Sequence, residues 1–135
     1  MTAGYSGTPL PQKLGLEQET VLVVIDDPGH FLELVSPLPD GVEIRTNARG
    51  KADTVVFFTK ERTRLEARIE PLARMIFPAG GLWVCWPKRA SKVATDMTED
   101  VVRDVVLPLG LVDVKVAAID ETWSGLRVVH RRENR

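Results

Sequence analysis

The chain has 135 residues, 44% of them hydrophobic and 27% charged, and a formal net charge of -1. That length suits one domain able to bury roughly two-thirds of its unfolded surface. The composition excludes a disordered chain, and the charge balance gives no reason to expect a nucleic acid or an acidic membrane as partner. Cys85 is the only cysteine, so no intrachain disulfide can form, and no apolar run approaches the ~20 residues of a bilayer span.

Residues 1–13, rich in Gly, Pro, Ser and Thr, read as an arm that is packed or partly flexible. It shows no basic region followed by an apolar stretch, so a cytoplasmic protein is expected. Residues 14–130 read as the domain and 131–135 as a charged tail. Leu14 and Leu16 lead into a first strand over Thr20–Ile25. Its run Val21-Leu22-Val23-Val24 predicts burial on both faces, hence a central parallel strand. Asp26-Asp27-Pro28-Gly29 is the turn that follows, and Phe31–Val35 can form a short helix before Ser36-Pro37. Val42–Thr46 alternates and suits a strand nearer an edge. Thr54–Phe58 is a third, buried strand. Leu65, Ile69, Leu72 and Ile76 then fall at helical spacing, with Pro71 predicting a kink or two short helices. Pro78-Ala79-Gly80-Gly81 stops that helix. Leu82–Trp86 is the fourth strand and carries Cys85, read as a buried, inert thiol. Residues 87–97 form a basic loop. Thr98-Glu99-Asp100 starts a last helix that Gly110 ends. Val112–Ile119 is strand five, residues 120–125 a loop, and Leu126–His130 strand six.

Six residues cannot hold a crossover helix, so strands five and six are expected to be antiparallel. The expected sheet order is 2-1-3-4-6-5. Only seven residues join strands two and three, about 24 Å when extended, against about 20 Å needed to step across strand one. A simple hairpin of strands two and three is the rival.

The segment Val21–Leu32 resembles the first nucleotide-binding turn of class I methyltransferases, which use S-adenosylmethionine. Pro78-Ala79-Gly80-Gly81-Leu82-Trp83-Val84 is similar to their later Pro-Gly-Gly turn and strand, and the hairpin at residues 112–130 is also typical of them. The resemblance implies a Rossmann-like, methyltransferase-like three-layer α/β sandwich, shortened by one strand–helix unit. More closely, residues 4–10 (GYSGTPL), Trp86-Pro87-Lys88 and Asp120–Gly125 resemble a bacterial domain family of short proteins to which no activity is attached.

Those methyltransferases need glycines in the turn, where the backbone meets the cofactor. Here the first two glycine positions hold Ile25 and Asp27, and only Gly29 matches. An Asp27 side chain in the crevice would take space and bring negative charge near the cofactor's carboxylate. The acid expected for ribose at the end of the next strand is also missing, where the sequence reads Arg45-Thr46-Asn47. Both departures predict no appreciable binding of S-adenosylmethionine.

Other chemistries leave little trace. His30 and His130 do not pair with Cys85 at metal-ligand spacing, and the serine-hydrolase and Walker motifs are absent. No catalytic residue, metal or cofactor is assigned. Asp26 and Asp27 are read first as turn and helix-capping residues, with metal or base roles as the alternative. Any ligand is expected where strand order reverses, beyond the first and third strands. Asp26, Asp27 and Gly29 would form one wall facing Thr59, and Lys88, Arg89 and Lys92 the cationic side. Trp123 and Ser124 would close the far side. Alternatively Asp26 or Asp27 pairs with a loop cation and seals the crevice, the tryptophans being core. The leading expectation is a non-catalytic binding or regulatory module that has lost the standard cofactor site. It would serve an anionic small molecule or a protein partner. The alternative is a small enzyme on a nucleotide or other anionic metabolite, with Asp26, Asp27 or Glu121 as base.

Overall fold

The computed structural model describes residues 7–135. Residues 1–6 of the expected arm, and with them part of the 4–10 segment, lie outside the described residues. Six strands form one sheet: β1 (Val21–Ile25), β2 (Glu43–Arg45), β3 (Thr54–Phe58), β4 (Gly81–Pro87), β5 (Leu111–Ala118) and β6 (Trp123–His130). Their order is β2-β1-β3-β4-β6-β5. The first three pairings are parallel, and β6 is antiparallel to both β4 and β5. The link between β2 and β3, now eight residues (46–53), does cross β1, and Asp53 at its end accepts the Val21 N–H at 2.8 Å. No β2–β3 hairpin forms.

Strand alternation sorts the core onto two faces. Val23, Ile25, Val55, Phe57, Leu82 and Val84 point toward the longer helices α3 (Arg62–Ile76) and α4 (Glu99–Val106). Leu22, Val24, Val56, Phe58, Trp83 and Cys85 face the other layer. That layer is built from α1 (Leu10–Lys13), α2 (Phe31–Leu34) and the segment between α1 and β1. Residues 7–13 of the arm are thus packed in part, through buried Leu10. Trp83 pins the adjoining segment by donating its Nε1–H to the Leu14 carbonyl at 3.1 Å.

Two expectations need correction. α3 is one helix through Pro71, not the two short helices that were one form of the expectation. Proline costs about 3 kcal/mol inside a helix, but Leu65, Ile69, Leu72, Met75 and Ile76 are all buried along it, at ~1.5–3 kcal/mol each. The second concerns β6, which starts at Trp123 rather than Leu126. Asp120 Oδ1 accepts the N–H groups of Thr122 and Trp123, at 2.8 and 2.7 Å. This Asx turn closes the hairpin early and places Trp123 and Ser124 in the strand, opposite Pro87 and Trp86.

Candidate functional site

The parallel strands β1, β3 and β4 end together, and the turns that follow them define the candidate site. The turn after β1 begins at Asp26, whose φ of 57° lies in the left-handed region usually left to glycine. Gly29 follows at φ 118°, and a Cβ there would meet nothing within 4 Å. The turn keeps a glycine-like path although its first residues carry side chains.

Those side chains have definite destinations. Ile25 is buried in the core on the α3 side. Asp27 Oδ1 folds back and accepts the N–H groups of Gly29, His30 and Phe31, at 2.8, 3.2 and 3.2 Å. Gly29 and His30 precede α2 and Phe31 is its first residue, so the carboxylate closes the turn that leads into that helix. Asp26 reaches across to α3, where its Oδ2 accepts from Arg64 Nε and Nη2 at 3.2 and 3.0 Å. Both partners of that pair are largely exposed. Its cation comes from the helix, not from the basic loop.

A third acid closes the site from the hairpin. His30 Nε2 donates to Asp120 Oδ2 at 2.6 Å, tying the β1 turn to the β5–β6 turn. Burial by itself would raise the Asp120 pKa. The hydrogen bonds from His30 and from the Trp123 and Thr122 amides outweigh that and hold it below the usual carboxylate range. Behind the turn, Phe31, Phe58 and Trp123 pack edge to face, with centroids 5.4 and 5.2 Å apart. Burial, with the Asp120 charge adding to it, pushes the Cys85 thiol well above its ordinary value, which keeps it protonated and inert.

Between β1 and β3, at the reversal of strand order, lies a cavity of about 370 Å³. Asp26, Pro28, Phe58, Thr59, Arg64 and Trp123 line it. Thr59 is buried and fixed by its own turn, exchanging hydrogen bonds with the Glu61 backbone. A second cavity of about 510 Å³ lies beyond β4, lined by Trp86, Lys88, Arg89, Lys92, Thr95 and Ser124. The site residues expected from sequence are therefore divided. Asp26 and Trp123 line the first cavity, Lys88, Arg89, Lys92 and Ser124 the second, and Asp27 and Gly29 line neither. Sequence reasoning missed Arg64 and the His30–Asp120 pair. Their partners are 38 and 90 residues away, and the only available signal was that all lie near strand ends at one edge of the sheet.

No family model matches the sequence, and no curated protein matches it. Solved structures do match the fold. A SAM-dependent methyltransferase from Aquifex aeolicus superposes with a TM-score of 0.58 at 14% identity, over 87% of this chain and 85% of that one. Magnesium protoporphyrin IX methyltransferase from Synechocystis PCC 6803, with bound SAH, gives 0.56 at 15% identity over 85% and 75%. A protein of the NADB-Rossmann superfamily from Streptococcus agalactiae gives 0.58 at 11% identity over 95% and 70%. The chain thus has a Rossmann-like, class I methyltransferase fold. Among the described residues, no helix is long and apolar enough to cross a membrane.

These findings overturn the expectation of a non-catalytic module that has lost its cofactor site. The fold is shared with methyltransferases, one of them holding SAH. The steric premise also fails in this structure. Ile25 points into the core and the Asp27 carboxylate is folded back onto the turn leading into α2, so neither fills the crevice.

Proposed function

We propose that this chain is a methyl-transfer enzyme that takes S-adenosylmethionine in the crevice between β1 and β3. One observation carries the reading. The crevice at the strand-order reversal stays open because Asp27 is spent on three amides of the turn leading into α2. In open α/β sheets this is where nucleotide ligands bind.

The residues present fit such a cofactor. Phe58 and Trp123 offer an apolar wall to a purine. Arg64 offers a cation for the cofactor's carboxylate, which in this reading competes with Asp26 for it. Thr46 and Asn47, exposed just beyond β2, supply neutral hydrogen-bonding groups to ribose hydroxyls in place of the usual acid. Bound there, the cofactor supplies an electrophilic methyl group. The cleft beyond β4 then takes the acceptor. Arg89 and Lys92 are exposed on it beside Lys88, which suits an anionic metabolite.

Titration calorimetry with S-adenosylhomocysteine tests the reading. A formed site is expected to give a Kd near or below ~10 µM, about 7 kcal/mol, and Asp27→Asn should bind equally well. No saturable heat up to about 1 mM ligand would overturn it.

A further inference from the structure

A third cavity, about 510 Å³, lies at the opposite end of the sheet, where β1, β3 and β4 begin. Glu17, Lys51, Asp53, Thr54, Phe77 and Arg127 are among the residues that line it. Thr54 and Arg127 carry polar groups without a partner among the described residues, as does the exposed Glu17. Thr54 is only 7% exposed, yet its hydroxyl has no hydrogen-bond partner among the described residues. Arg127 is half-buried, and its guanidinium meets no carboxylate or carbonyl among the described residues. Burial, with the Arg135 charge nearby, holds its pKa below the usual arginine value. No buried side-chain nitrogen or oxygen among the described residues lacks a partner, so the unpaired groups of Thr54 and Arg127 both open onto the cavity, where a ligand from outside can meet them.

The backbone builds the site. Leu126 and Val128 face α3 and α4, so alternation along β6 turns Arg127 to the opposite face of the sheet. Gly81 leaves the room the guanidinium occupies. A Cβ on Gly81 would come within 2.5 Å of Arg127 Nε and 2.6 Å of Nη2. Gly81 is itself paired with Thr54 across β3 and β4. The threonine, the bare glycine and the guanidinium thus form one row. Neighbouring charges are already engaged or stand off. Lys51 Nζ donates to the carbonyls of Arg74 and Phe77, and Asp53 Oδ2 accepts the Val21 N–H. Glu17 and Asp53 are exposed, and neither forms an ion pair with Arg127.

We propose that this cavity binds a single compact oxyanion, a carboxylate or phosphate group of a small molecule, held by the Arg127 guanidinium and the Thr54 hydroxyl. The planar fork of arginine suits two oxygens of either group. The exposed acids Glu17 and Asp53 at the rim disfavour polyanions, which sets the size and charge of the ligand. The site is separate from the methyl-transfer crevice, which lies at the other end of the same strands.

Amide NMR of the full chain, titrated at constant ionic strength with sodium acetate and separately with inorganic phosphate, tests this. The expected result is a saturable shift at Thr54, Gly81 and Arg127 with at least one of the two anions, and the stronger response identifies the ligand group. Arg127→Met should weaken it tenfold or more. Gly81→Ala keeps every charge but displaces the guanidinium, and should weaken it similarly. The proposal is overturned if neither anion gives a saturable shift at these residues in the wild type. It is equally overturned if either variant titrates as the wild type does.

Discussion

The two ends of the sheet spend their charges differently. At the end where β1, β3 and β4 finish, three acids of the turns have partners: Asp26 holds Arg64, Asp27 accepts the amides leading into α2 and Asp120 holds His30. At the other end, Arg127 and the Thr54 hydroxyl stand over a cavity with none among the described residues. The first arrangement fixes the shape of a crevice and leaves Phe58 and Trp123 as its apolar wall. The second leaves charge free to be satisfied from outside. A site can therefore be made by using up polar groups or by withholding them, and this fold does both on the same strands.

The comparison can be broken most severely at the support the two ends share. Trp83 is fully buried in mid-sheet and anchors the Leu14 carbonyl, just ahead of Gly15 and Glu17 in the oxyanion cavity. Trp83→Ala should cost about 3–5 kcal/mol in urea unfolding. Trp83→Phe, which loses the hydrogen bond but keeps much of the volume, should cost less. It should also loosen the oxyanion cavity more than the crevice, which amide exchange of residues 15–17 against 26–31 would register.

The crevice end is sharpened by Asp27. Asp27→Ala strips the turn ahead of α2 of its acceptor and should cost about 1–2 kcal/mol, whereas Asp27→Asn keeps an acceptor oxygen and should lose much less. Equal losses in the two variants would show that the contact matters only through its charge.

A pH series separates the ends further. The folded Asp120 pKa lies below the unfolded value of about 3.9. Its contribution is therefore fully present above the unfolded value and is lost as pH falls through the folded one. The stability gap between wild type and Asp120→Asn should be open at pH 5 and close progressively below about pH 4. A gap that widened on acidification would contradict the assignment. The smallest effect is expected at the Asp26–Arg64 pair. Both side chains are more than a third exposed, so Arg64→Ala should cost no more than about 1 kcal/mol in the same assay.

How much of this was legible in the sequence depends on the range of the interaction. Val21–Val24 and Thr54–Phe58 announced buried parallel strands. The short β2–β3 link and the six residues after Ile119 were enough to give the sheet order, because chain reach and strand direction are local constraints. Pro71 allowed two separate helices because its cost is local, while the burial that keeps α3 in one piece is tertiary. The crevice misled for a related reason. Asp27 was visible at a glycine position, but the direction of its carboxylate depends on the amides leading into α2, which a residue-by-residue match to a turn does not contain. Arg127 carried no signal at all. In sequence it is one cation in a strand, and only the folded sheet, with its guanidinium lying over Gly81, shows where it points and that it has no partner there.

The central claim, that the two ends take two different ligands, is tested most directly by one amide-shift map recorded with S-adenosylhomocysteine and then with the anion that titrates the Arg127 site. The account predicts that the first ligand shifts Asp26, Gly29, Phe58, Thr59 and Trp123 while leaving Thr54, Gly81 and Arg127 in place, and that the anion does the reverse. Shifts at one and the same set of residues for both ligands would contradict it.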